Sequence, residues 1–292
     1  MSRSFNRFNS RLKIVENRRV SRRSWFAIFA ACAVVLLSTS QFTLSQAQPA
    51  PLHIAAAADL QPVLPPILDQ FHQATGIEAK ATYEASVALT TLIQNGAPFD
   101  LFLSADLGFP KRLIDAGVAD SAGIAGANGT GGSSSPIPYA RGTLVLWTRK
   151  DGHWPNPSLA TLSDPALKRL AIANPERAPY GHAAIAVLTS LNLIDALKLK
   201  FVTAENISQA AQFAESGNAD AGLISLTSAK TPHLQSIGNY FVIPTGLYPP
   251  IEQGAVIVTN TTQRENARKF LDFLLSAPIQ QQLAKSGLTP VK

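Results

Sequence analysis

Ala57-Ala58-Asp59, Glu84-Ala85-Ser86-Val87 and Pro179-Tyr180-Gly181-His182-Ala183 each set small or hydroxyl-bearing residues where an extended or loop segment gives way to a helical pattern. At such a junction the first helical turn offers backbone N–H groups with no intrahelical acceptor, and it carries the positive end of the helix dipole. Several such termini converging can hold a tetrahedral oxyanion without a cationic side chain. That matters because no cluster of Arg or Lys adjoins the three junctions. Taken singly, each stretch reads first as an ordinary cap, or as a place where alanines permit close packing.

Covalent catalysis has less support. Ser86, Ser104, Asp106 and His182 could furnish a nucleophile, an acid and a base. No Gly-x-Ser-x-Gly elbow is present, however, and the serines fall before or within helix caps. His182 reads either as a flank of a cleft or as a solvent-facing residue of a first helical turn. His53 and His72 stand alone on a strand and a helix, and His153 and His233 fall in loops, so no zinc-ligand spacing arises. Neither a Gly-x-Gly-x-x-Gly run nor a Walker sequence occurs, and no cofactor is expected.

The elements that must position the junctions follow a β-α-β-α-β order. Leu52–Ala57 reads as a short buried strand, and helical spacing from Leu60 to Phe71 stops at Gly76. Ile77–Tyr83 alternates as a second strand, and Leu89, Leu92 and Ile93 mark a helix ending at Gly96. Phe99–Leu103 is a third strand, with Ser104-Ala105-Asp106 capping the next helix. Residues 121–136 are rich in Gly and Ser and read as a mobile surface loop.

Tyr139–Thr148 then reads as a single strand. A second α/β series follows, with strands at Leu170–Ala173, Leu199–Val202, Ala221–Ile224 and Tyr240–Pro244 and helices at Ala183–Leu191 and Ile207–Glu215. Two helices close the chain, Thr262–Leu275 capped by Thr261 or Thr262, and Ile279–Ser286. This order predicts an α/β fold of mostly parallel sheets with helices on both faces.

Residues 1–47 are set aside as a signal peptide. Eight basic residues precede or flank an apolar run from Trp25 to Leu37, and Ser45-Gln46-Ala47 fits a signal peptidase site. The run is shorter than the roughly 20 residues that span a bilayer, although a retained anchor is the competing reading. Ser21-Arg-Arg-Ser-Trp-Phe26 also resembles a twin-arginine signal, so both export routes stay open. The only cysteine, Cys32, would leave with this segment; a lipoprotein reading of Phe29-Ala-Ala-Cys32 is the alternative.

Removing the leader changes the charge. The chain holds 25 Lys+Arg and 19 Asp+Glu, of which residues 1–47 carry eight and one, leaving 17 against 18. The sequence pI of about 9.5 thus describes the leader and gives no reason to expect a nucleic-acid partner.

Gly96-Ala-Pro-Phe-Asp-Leu-Phe-Leu-Ser-Ala-Asp106, with Ile54-Ala-Ala-Ala-Ala-Asp-Leu60, resembles the periplasmic molybdate-binding proteins of ABC importers. The resemblance runs from Leu52 to Val291. It implies a two-lobed type II periplasmic binding protein fold with a central ligand cleft, the chain crossing between lobes near Arg141–Thr143 and Pro244–Gly246. Residues 48–141 and 245–292 would form one discontinuous lobe, and 142–244 the other. The implied protein is a periplasmic, monomeric carrier rather than an enzyme. It would capture molybdate, with tungstate hard to distinguish, and pass it to a membrane ABC permease. Another oxyanion such as sulfate is the alternative within this class, and a hydrolase using the same cleft is the alternative outside it.

The resemblance assigns the oxyanion to Ala58 and Asp59, Ser86, Tyr180, Ile207 and Ser225, which would bond the anion's oxygens rather than its metal. Ser86 would give hydroxyl and amide, while Asp59, Tyr180 and Ile207 would give backbone amides. Leu247-Tyr-Pro-Pro-Ile251 resembles a family segment that serves architecture. Asp59 stands where well-known members carry serine, and Ser225 where they carry a tyrosine donor. An ionised Asp59 would repel a dianion by roughly 4 kcal/mol per unit-charge pair at 4 Å. The first expectation is that its carboxylate turns back to cap its own helix. A protonated Asp59 donating to the anion, or a different ligand, are the other two readings.

Overall fold

The computed structural model describes residues 50–121 and 135–291. The expected leader, and the 121–136 loop apart from its ends, lie outside the described residues. The early strands are β1 (Leu52–Ala57), β2 (Ala79–Glu84), β3 (Leu101–Ser104), β4 (Ala119–Asp120), β5 (Ile137–Gly142) and β6 (Leu144–Arg149). They are followed by β7 (Leu170–Ala173), β8 (Phe201–Ala204), β9 (Ala221–Ser225), β10 (Gly238–Val242), β11 (Ile251–Val258) and β12 (Thr289–Pro290).

These strands form two sheets. The first has the order β12-β5-β11-β3-β1-β2, with β4 also on β11, and the second the order β10-β6-β9-β7-β8. Parallel pairing is confined to β1 with β2 and β3, and to β7 with β8 and β9. The strands around β11 and β6 run antiparallel. The α/β class is as expected, but the sheets are mixed rather than mostly parallel, because β5, β6 and β11 carry the chain between sheets and return against their neighbours.

Alternation within the strands explains why the first sheet is covered on both faces. Ile54 and Ala56 pack on one face with Leu101, Leu103, Ala255 and Ile257, while Ala55, Phe102 and Val256 pack on the other. Strands buried on both faces read as continuous apolar runs, as β1 and β3 do. The helix Leu64–Thr75 ends as expected at Gly76, whose φ of +73° is the left-handed conformation that glycine adopts without strain.

The run read as one strand, Tyr139–Thr148, is two. It breaks at Thr143, with β5 in the first sheet and β6 in the second. Gly142 stands at the break, where a Cβ would lie 2.2 Å from Tyr180 Oη, so only glycine lets the chain pass. The chain returns between Val242 and Ile251. There the Tyr248 hydroxyl accepts the Leu144 N–H at 3.2 Å and ties one crossing to the other.

Three further expectations are revised. β11 is a central strand that the sequence pattern hides, since Gln253 and Gly254 interrupt its apolar run and a bulge falls between them. The penultimate helix begins at Arg264, not Thr262, because the Thr261 hydroxyl accepts the Gln263 N–H in a turn ahead of it. Leu199 and Lys200 belong to a short 3-10 turn that delays β8 to Phe201.

Candidate anion-binding site

Four strand ends point at one small cavity. β1 leads into a 3-10 turn at Ala58–Leu60, β2 into the helix Ser86–Gln94, β7 toward the helix Pro179–Ser190, and β8 into the helix Ile207–Glu215. All four junctions, with Ala105 after β3, line a narrow pocket of about 10 Å³. Crevices at the carboxyl ends of strands are where open α/β sheets bind ligands. Local sequence explains the helix starts. Asn206 caps the last of the four, its side chain accepting the Gln209 N–H at 3.0 Å. Pro179 opens another at a position where its missing N–H costs nothing.

Of the residues expected to meet, Ala58, Asp59, Ser86, Tyr180 and Ile207 line this cavity. Ser86 is buried, and its Oγ accepts the Ala105 N–H at 3.1 Å, which leaves its own proton for another acceptor. Tyr180 and Ile207 lie in first helical turns, where backbone amides lack intrahelical partners.

Ser225 does not line the cavity. It caps the short helix Leu226–Ala229 by accepting the Ser228 N–H, and its Oγ lies 2.9 Å from both Ser228 Oγ and Thr227 Oγ1, so its hydroxyl is engaged locally.

Asp59 behaves differently from the leading expectation. Its carboxylate makes no helix cap. Instead Oδ2 accepts the Tyr180 hydroxyl at 3.0 Å and the Gln253 side-chain amide, in a position with no exposure to solvent. Burial raises its pKa from 3.8 to about 6, against the opposing pull of the hydrogen bonds from Gln253 and Tyr180. The Tyr180 side chain is therefore structural here, where only its backbone was expected to matter. Burial and the neighbouring Asp59 push the Tyr180 hydroxyl well above its ordinary pKa.

Gln253, Thr227 and Ser208 are the participants that sequence reading missed. Thr227 Oγ1 donates to Asp59 O at 2.7 Å and Ser208 Oγ to Ala58 O at 2.8 Å, so elements of the second sheet hold the 3-10 turn of the first. Asn206 Nδ2 reaches Glu84 Oε2 at 3.2 Å across the same opening. The one signal available was a lone Gln within an apolar run at Ile251–Val258.

The catalytic reading finds no assembled triad. Ser104 Oγ donates to Asp106 Oδ1, and Asp106 also caps Phe109 N. His182 is exposed and faces a neighbouring depression lined by Asp106, Arg112 and Glu176. Among the described residues, no group of three or more His, Cys, Asp or Glu side chains is arranged to hold a metal ion.

The family model for bacterial extracellular solute-binding proteins matches residues 52–289. The chain belongs to that family. Membership of an extracellular family implies that this solute-binding protein is exported. It is 37% identical over 228 residues to the molybdate-binding protein ModA of Azotobacter vinelandii, covering 78% of this chain and 85% of the relative. The ModA of Rhodobacter capsulatus is 34% identical over 217 residues, covering 74% and 79%. Among solved structures, the periplasmic molybdate-binding protein of Azotobacter vinelandii superposes with a TM-score of 0.73 at 29% identity, covering 82% of this chain and all of that one.

Proposed function

We propose that this protein captures a tetrahedral oxyanion, molybdate first and tungstate with it, and delivers it to a membrane ABC permease without chemical change. The observation that carries this is the convergence of four strand-to-helix junctions, with Ser86, Tyr180 and Ile207 among them, on one cavity that has no Lys, Arg or His in its lining. Such a site neutralises an anion with N–H and O–H dipoles, which act more strongly where water is excluded. The relatives' names support molybdate as the cargo.

The segregation of strands supports the lobe assignment, with residues 48–141 and 245–292 as one lobe and 142–244 as the other. Closure would then hinge at Arg141–Thr143 and Pro244–Gly246 and act on a single, monomeric chain. The leader would direct it to the periplasm by the general or the twin-arginine route.

Thermal unfolding with molybdate, tungstate, sulfate, phosphate and no addition tests the reading. At about 100-fold excess over Kd, binding stabilises by about 2.7 kcal/mol, or roughly 5–10 °C for a chain of this size. Shifts with molybdate and tungstate alone are expected. A shift with sulfate alone would replace the cargo, and no shift with any oxyanion would refute the function.

A further inference from the structure

Among the described residues, three buried side-chain polar atoms lack a partner, and two of them belong to one contact. Asp59 Oδ1 and Gln253 Oε1 are both unpaired, on side chains already joined by Gln253 Nε2 donating to Asp59 Oδ2. Each group is planar with two polar atoms, and each has used one. An ionised carboxylate offers only acceptors, so it cannot satisfy an amide oxygen. One proton on Oδ1 satisfies both orphans, with Oδ1–H donating to Oε1 while Nε2–H donates to Oδ2.

The fold holds the two groups for this. The bulge between Gln253 and Gly254 sets Gln253 fully inside β11, and bulges commonly re-aim a side chain beside a site. Tyr180, from the helix across the cavity, donates to Oδ2 as well and fixes the carboxyl plane. Among the described residues, no Lys, Arg or His lines this cavity to offset Asp59. Glu84 lines the same cavity from the end of β2, accepting from Asn206. Tyr139, from β5, is engaged with Ser104 O, and Asp106 acts on that tyrosine from beyond. A dianion entering here meets acceptors and acids, and dipoles alone must outweigh an ionised Asp59.

We propose that Asp59 and Gln253 form a proton-holding pair that sets the charge of the site, Asp59 being the neutral acid whenever the anion is bound. This rests on the oxyanion reading above. At neutral pH each anion then arrives with one proton drawn from solvent onto Asp59 Oδ1. Burial already raises the acid toward neutrality, and a bound dianion raises it further.

Calorimetric titration with molybdate, at about pH 7.5 in buffers of different ionisation enthalpy, counts that proton directly. Close to one proton taken up per anion is expected, with Kd rising about tenfold per pH unit from about pH 6.5 to 8.5. Asp59→Asn is expected to bind with no proton uptake and a flat pH profile, and the wild-type proton count stands if that variant fails to fold. Molybdate bound with no proton uptake and a flat profile would overturn the pair and leave the oxyanion function standing. Preferential binding of hydrogen phosphate without uptake would also overturn it, by making Asp59 the acceptor of the ligand's own proton. No binding of any oxyanion across the range would overturn both.

Discussion

Ser86→Ala separates the two tasks that one hydroxyl performs. Its Oγ accepts the N–H of Ala105, a residue that is itself buried, while its proton is free for a ligand in the cavity. Alanine removes both bonds. The orphaned amide should lower stability by about 1–3 kcal/mol, the cost of an unsatisfied buried donor. Losing a hydrogen bond to a charged oxyanion should cost a further 1.5–3 kcal/mol of affinity, or about 10- to 150-fold in Kd. Urea unfolding without ligand reads the first effect. Calorimetric titration with molybdate, at a temperature where the variant is fully folded, reads the second. Lost stability with a Kd changed by less than about twofold would show that Ser86 only holds Ala105, and the ligand assignment would fall.

Tyr180→Phe removes one donor from buried Asp59 Oδ2. It should cost about 1–3 kcal/mol, more at pH 8 than at pH 5, since only the ionised acid needs both donors; equal urea midpoint shifts at the two pH values would contradict this. Gly142→Ala would drive a Cβ into the Tyr180 hydroxyl and should destabilise by about 1–3 kcal/mol through overpacking, with a weaker Kd as the phenol shifts. The raised pKa of Asp59 also has a stability signature. The folded state binds more protons than the unfolded between about 3.8 and 6, so stability falls as pH rises through that window. Roughly two pKa units correspond to about 3 kcal/mol, complete above about pH 6. Urea unfolding of wild type against Asp59→Asn should show that difference, and parallel profiles would count against a buried, raised acid.

The parts of the site built from local pattern were legible in the sequence. Ala58, Asp59, Ser86, Tyr180 and Ile207 each sit where a strand or loop becomes a helix, and a helix start exposes its amides whatever surrounds it. The contacts made between distant segments were not. Gln253 lies 194 residues from Asp59, and only the placement of β11 brings them together. That strand was missed because its inward Gln and its bulge break the alternation that marks a strand. Ser225 is ambiguous for a related reason. A serine at a strand end suits a ligand or a cap equally, and its neighbours Thr227 and Ser228 decided for the cap. The division of Tyr139–Thr148 was hidden because both halves are extended, and nothing local shows a change of sheet.

The position of β11 governs the order in which the chain can fold. It pairs with β3, β4 and β5, all made much earlier, whereas every strand of the second sheet lies between Leu144 and Val242. As the chain emerges from its amino end, the second sheet has all its strands while the first still lacks its central one. Until Ile251–Val258 arrives, β3 and β5 present open edges, the kind of surface that seeks pairing with other chains. Pairing across such separations is slow. The first sheet therefore cannot be completed until Ile251–Val258 has been made, and truncation before β11 would yield a chain prone to aggregate.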